Sequence, residues 1–247
     1  MNKLLVLLLV CGLSTGVFAK DFAQYKQERL ITKLLNQQVN QQISLKKSIS
    51  SILAIYPEQV DVVLKVALNT YPSQYKDIMI GAMEAEPVLA CEVIQIVLNA
   101  NVASPSEIVS IAVEAEPAYA QEIVNVAALN SPANIENIVR VAILTEPVMS
   151  HAVVSNTGNS FPDKIISILL GAIKALPEKV SGLVESTIAL FPDESEAIVT
   201  QAIFSSDEKH ASKIVSSAIQ AGLGEEAAIN AAIAGGANAE KLANNKQ

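Results

Sequence analysis

Side chains able to do chemistry are few in this 247-residue chain, which has two histidines, His151 and His210, and two cysteines, Cys11 and Cys91. Neither histidine stands at a metal-ligand spacing from the other or from a cysteine. No glycine-rich phosphate loop, no G-x-S-x-G and no H-E-x-x-H occurs. His151 takes a place that is polar elsewhere in the chain, as at Gln121 and Glu136, and His210 beside Lys209 is expected to be a solvated surface residue. Cys91 lies next to apolar positions and is expected to be a small core residue rather than a reactive thiol. This inventory predicts a protein that is not an enzyme and that uses no cofactor and no metal centre.

The carboxylates, by contrast, are patterned. Glu84-Ala85-Glu86, Glu114-Ala115-Glu116 and Leu144-Thr145-Glu146 recur at thirty-residue intervals. If they line one edge, Glu84, Glu86, Glu114, Glu116 and Glu146 form a ladder for a basic partner or for weakly held divalent cations, which favour several oxygen ligands. The plainer reading is a set of solvated turns.

What must position these residues is a proline grid. Pro57, Pro72, Pro87, Pro117, Pro132, Pro147, Pro162, Pro177 and Pro192 fall fifteen residues apart, broken only at Val102, three residues before Pro105. Within each unit the fourth, seventh, eighth and eleventh places are apolar, as in Val60, Val63, Leu64 and Ala67 or in Ile135, Ile138, Val139 and Ala142. That spacing is one face of a helix. Proline suits the first helical position, where its missing N–H has no partner to lose. Each unit is therefore expected to give about twelve helical residues and about three of turn. One long helix kinked at every proline is rejected, because each interior proline costs about 3 kcal/mol or more. Turns this short make neighbouring helices antiparallel, so the repeat is a thirty-residue helical pair. The predicted fold is all-α, an α-solenoid of short antiparallel helices over residues 57–206. Its second edge reads Asn69-Thr70-Tyr71, Asn99-Ala100-Asn101, Leu129-Asn130-Ser131 and Asn159-Ser160-Phe161.

One unit departs from the pattern. After Val154, the residues Asn156, Thr157 and Gly158 replace the expected apolar ones, which predicts an early helix end and a loop over 155–161 with Asn156, Gly158, Asn159 and Phe161 as its notable members. A worn repeat or a bend in the array is the other reading.

Atypical end units are expected to shield the array. Residues 20–56 read as one long or two shorter polar helices and residues 207–237 as closing helices, with Gly222 and Gly235-Gly236 as stops. Residues 238–247 read as a loose tail. Residues 1–19 resemble a secretory signal peptide, with Lys3, the apolar run Leu4–Val10 and cleavage after Ala19. A membrane anchor fits poorly because the apolar run is short and holds Gly12, Ser14 and Thr15. Lipidation at Cys11 fits poorly because Val10 precedes it.

Loss of the leader removes Lys3 and leaves 16 basic residues against 25 acidic, a net −9. That argues against nucleic acid and anionic membranes as generic partners. Cys91 then stands alone, so no intramolecular disulfide can form. The functional expectation is an exported, non-catalytic helical-repeat module, periplasmic or secreted by a bacterium, that binds or scaffolds a protein or extracellular polymer. Two other readings stay open. Apolar tenth places (Val66, Ile96, Ile111, Val126, Val141) could line a concave face that carries a lipid-like ligand, and the loop 155–161 could hold an enzyme site.

Overall fold

The computed structural model describes residues 24–244, and the expected leader lies outside them. Among the described residues every regular element is helical and there is no strand. The fold is an all-α solenoid built on one repeated unit, and the chain divides into two compact units, residues 1–102 and 103–247.

The first unit contains α1 (24–40), α2 (Leu45–Leu53), α3 (Val60–Thr70), α4 (Tyr75–Ala85) and α5 (Ala90–Ala100). The second contains α6 (Pro105–Ala115), α7 (Ala120–Asn130), α8 (Ile135–Thr145), α9 (Ser150–Ser160), α10 (Ile165–Ala175), α11 (Val180–Leu190), α12 (Ser195–Phe204), α13 (Ala211–Gln220), α14 (Glu225–Ala234) and α15 (Ala239–Asn244). The division falls where the proline grid is broken. There Asn101 ends α5 in the left-handed region at φ 52°, and Ser104 caps α6 by accepting a hydrogen bond from the Glu107 N–H at 3.3 Å.

A regular unit is tighter than the spacing predicts. It consists of one extended connector, one three-residue 3₁₀ turn that begins with proline, and an α-helix of eleven residues, as in Tyr71, Pro72–Gln74 and α4. The cause is local. Proline excludes the residue before it from helical geometry, so Tyr71 sits at φ −131°. The connector's carbonyl still accepts the N–H of the third residue of the turn, as from Gln74 to Tyr71 at 2.9 Å and from Asn134 to Ser131 at 2.9 Å. Helical bonding thus resumes within one residue of being interrupted, and proline removes no donor that the turn needs.

The packing is layered. In the second unit α6, α8, α10, α12 and α14 pack in succession, as do α7, α9, α11 and α13; in the first unit α2 packs on α4 and α3 on α5. Four of the side-chain bonds between helices two apart join residues separated by the same thirty-five: Asn36 with Tyr71, Ser110 with Thr145, Asn125 with Ser160 and His151 with Ser186. A constant difference marks parallel helices, since antiparallel ones would pair residues of constant sum. It also offsets each helix by five residues from the one before it in its layer, about 7.5 Å at 1.5 Å per residue.

The core follows the sequence pattern, with Val60, Val63, Leu64 and Ala67, and likewise Ile135, Ile138, Val139 and Ala142, buried. Each fully buried Val, Ile or Leu contributes about 1.5–3 kcal/mol by leaving water. Where α4 and α10 approach their neighbours most closely the chain has glycine. A methyl group on Gly81 would run into the Lys46 carbonyl of α2, and one on Gly171 into the Glu136 carbonyl of α8.

The expected loop over 155–161 is not there. Residues 150–160 form the unbroken helix α9, and Phe161 is its ordinary one-residue connector. Thr157 is buried in the place that alanine fills in most units, and Gly158 in the next place, which elsewhere holds larger apolar residues such as Leu68, Met83, Ile143 and Ile173. Glycine at 158 leaves room for two side-chain ends, since an added Cβ would lie 2.9 Å from Ile165 Cδ1 and 3.0 Å from the Phe191 ring. Asn156 is half-buried and Asn159 exposed on the same helix, with the Ser160 hydroxyl donating to the Asn156 carbonyl at 3.0 Å. What read as a break is thus a repeat adapted to an aromatic neighbour.

The ends are helical too. Gly222 and Gly236 stop α13 and α14 in left-handed geometry at φ 108° and 100°, with Leu223 N–H bonded to the Ala218 carbonyl and Ala237 N–H to the Ala232 carbonyl. The expected loose tail departs from the structure over 239–244, which form α15. Asn238 Oδ1 caps that helix, accepting from the N–H of Glu240 at 2.9 Å and of Lys241 at 3.2 Å, and Lys241 reaches Glu208 at 2.9 Å.

Candidate functional site

The patterned glutamates occupy two kinds of position. Glu84 and Glu114 are exposed in the last turns of α4 and α6, while Glu86, Glu116 and Glu146 are half-buried connectors. Each connector's N–H closes the helix before it, bonding to the Ala82, Ala112 or Ala142 carbonyl. Its own carbonyl then accepts from Leu89, Tyr119 or Met149 to open the next turn. Beyond it stand an exposed proline and an exposed small apolar residue, Val88, Ala118 or Val148. The repeated surface step is therefore Glu-Pro-Val/Ala, a carboxylate beside an apolar knob.

The second unit brings two such steps, at 116–118 and 146–148, onto the ends of α6 and α8, which pack together. The first unit has one, at 86–88, on α4, and there Glu84 is tied to Lys46 of α2 at 2.5 Å. Among the described residues Glu114, Glu116 and Glu146 make no ion pair closer than 4 Å, so their charge faces solvent.

The scattered reactive groups do not converge. His151 is exposed and bonds Ser186 Oγ through Nδ1 at 3.2 Å. Cys91 is half-buried, more open than expected, because its place lies one residue outside the inward stripe. His210 is the correction that matters. It is buried instead of solvated, with Nε2 3.2 Å from Glu178 Oε2, while Lys209 holds Glu178 Oε1 at 2.9 Å. Hydrogen bonds from Lys209 first and His210 second hold the Glu178 carboxyl below its ordinary value, and the same carboxylate raises Lys209. His210 is the last residue of the 3₁₀ turn Glu208–His210, directly before α13, which starts one place later than the unslipped grid would put it. Among the described residues no group of three His, Cys, Asp or Glu could hold a metal ion, and no helix is long and apolar enough to cross a membrane. Of the apolar tenth places, Val66, Ile96 and Ile111 are buried and Val126 and Val141 half-buried, so packing against neighbours accounts for their character.

Sequence reasoning missed a groove in the first unit. It lies between α1 and α2, has a volume of about 570 Å³ and is lined by Leu30, Leu34, Ser51, Ile55 and Tyr56 among others. The signal that could have found it is the group of large apolar residues left outside the repeat pattern at Leu30, Ile55 and Tyr56, all exposed. Scans of the chain against protein-family models, curated proteins and solved structures found no match.

Proposed function

We propose that the chain is an exported, non-catalytic binding or scaffold module that engages a basic protein or polymer along the ends of its helices. The observation that carries this reading is the repeated Glu-Pro-Val/Ala step, which presents the same exposed chemistry on the neighbouring parallel helices α6 and α8. Packed helices lie about 8–10 Å apart. With the stagger of about 7.5 Å, equivalent steps lie about 11–12.5 Å apart, so about every fourth residue of an extended partner, at about 3.3 Å per residue and pointing the same way, meets one step. A cationic side chain there faces a carboxylate while its stem covers the valine or alanine. Single exposed ion pairs contribute only about 0.2–1 kcal/mol, so affinity accumulates over steps and falls with salt. A site of this kind suits an extended surface in which each repeat contacts only its neighbours.

The test is capture from the native host with mass spectrometry, comparing the chain with a Glu86→Lys, Glu116→Lys, Glu146→Lys variant. A partner retained at low salt, released at high salt and lost by the variant supports the reading. Equal capture of that partner by the variant removes the edge from consideration.

A further inference from the structure

The two ends of the array are complementary, and we propose that the chain associates head to tail with further copies of itself, α14 of one copy seating in the groove between α1 and α2 of the next. This goes beyond the binding reading above, because it uses neither the Glu-Pro-Val/Ala steps nor an outside partner.

The argument starts from how one helix receives the next. In the layer that holds α8, α10, α12 and α14, the second, sixth and ninth residues of a helix face its successor. Gly171 of α10 lies against the Glu136 carbonyl and the Arg140 nitrogen of α8, and Gly235 lies against the Thr200 carbonyl and the Ile203 side chain of α12. The Thr200 hydroxyl also donates to the Ala231 carbonyl at 3.1 Å. The facing residues are Glu136, Arg140 and Ile143 in α8 and Glu196, Thr200 and Ile203 in α12. In α14 the same places hold Glu226, Asn230 and Ile233, a receiving face of the same type that no later helix of its layer covers among the described residues. The isoleucine records the difference: Ile143 is 0% and Ile203 7% exposed, but Ile233 is 43% exposed.

The groove is the counterpart. A helix is received through its seventh and eleventh places, counted from its first residue, as at Gly81 and Gly171 (seventh) and Thr145 and Gly235 (eleventh). Counted from the start of α2 these are Ser51 and, two residues beyond its end, Ile55; both line the groove, and Ile55 is 69% exposed. Among the described residues no helix precedes α2 in its layer, and the groove lies where one would pack. The thirty-five-residue register then sets Glu226 opposite Ser51 and Asn230 opposite Ile55.

Charge favours the same pairing. Residues 24–59 carry Lys26, Arg29, Lys33, Lys46 and Lys47 against Glu28 and Glu58, a net +3 in a protein whose total is −8. Residues 207–244 carry Asp207, Glu208, Glu225, Glu226 and Glu240 against Lys209, Lys213 and Lys241, a net −2. Contact between two different faces is heterologous and leaves one free face at each end of a dimer, so association runs past the dimer to a ring or an open chain. The incoming α1 takes the place beside α14 where α15 now lies, and it displaces that six-residue helix, whose Lys241–Glu208 tie is exposed.

Sedimentation equilibrium over a range of protein and salt concentrations tests this. The purified chain is expected to associate beyond the dimer as its concentration rises and to fall back at high salt. Ile55→Glu and Ile233→Glu, both at exposed positions, are each expected to remain monomeric with unchanged helical circular dichroism. Mixed in equal amounts they are expected to form one dimer and nothing larger, because each keeps one intact end. A native chain that stays monomeric overturns the proposal. So does an Ile233→Glu chain that associates normally, which would mean groove-to-groove contact, and so does a mixture that fails to dimerise.

Discussion

Replacement of Gly171 and of Gly182 by alanine should move stability in opposite directions. Both are helical glycines, in α10 and α11, and alanine in a helix interior is favoured over glycine by about 0.8–1.0 kcal/mol. At Gly182 little opposes the gain, since the nearest atom to a new Cβ is His151 Cε1 at 3.7 Å, an ordinary van der Waals distance. A rise of about 0.5–1 kcal/mol follows. At Gly171 the methyl group meets the Glu136 carbonyl, with the Arg140 nitrogen at 3.2 Å. Those are backbone atoms of a packed helix and cannot rotate away, so α8 and α10 must separate along their shared contact. Overpacking of that kind costs about 1–3 kcal/mol, and it also opens the Lys174–Glu136 pair at 2.6 Å. The propensity gain applies at both sites, so the two variants should differ by the overpacking cost of about 1–3 kcal/mol, or about 2–12 °C in melting temperature for a chain of this size. Thermal melts followed by circular dichroism at one scan rate measure the difference. A Gly171→Ala chain that melts at or above Gly182→Ala would refute the claim that close approach explains glycine at this position.

Threonine gives a second pair of opposite signs. Thr157 and Thr187 are both buried, but the Thr187 hydroxyl donates to the Leu183 carbonyl at 2.6 Å while the Thr157 hydroxyl has no partner. Thr187→Ala should destabilise by about 1–2 kcal/mol, and Thr157→Ala should be neutral or stabilising by up to about 1 kcal/mol, as denaturant melts will show. Glu178 predicts a pH dependence. Its folded-state value is lowered, so the stability it contributes is present above its ordinary value near pH 4 and is lost as pH falls through the lower folded value. Glu178→Gln should therefore melt below the native chain at neutral pH, with the gap closing in acid; a gap that is constant with pH removes the carboxylate's role.

The fold was legible because proline and apolar spacing each constrain the backbone on their own, and here they agree. Pro132 with Ile135, Ile138, Val139 and Ala142 predicts where a helix starts and which side it buries, and both hold. The error at 155–161 came from reading Asn156, Thr157 and Gly158 one residue at a time. Gly158 answers to Phe191, thirty-three residues away, and no local pattern carries that information. His210 was misplaced for a related reason, since its burial depends on Glu178 in a preceding turn. The groove between α1 and α2 was illegible in another way. Leu30 and Ile55 look like ordinary core residues until the structure shows them exposed along a groove.

The single-residue connectors have a consequence for attack by proteases. Proteases take up their substrates as extended stretches of several residues and prefer exposed loop tips. Connectors such as Tyr71, Ser131 or Phe191 offer one extended residue each, fastened on both sides by backbone hydrogen bonds. A nick at such a point must wait until a helix lifts away from the partners it packs against. Resistance to digestion is therefore a property of the stack, and it should hold equally at each of these junctions.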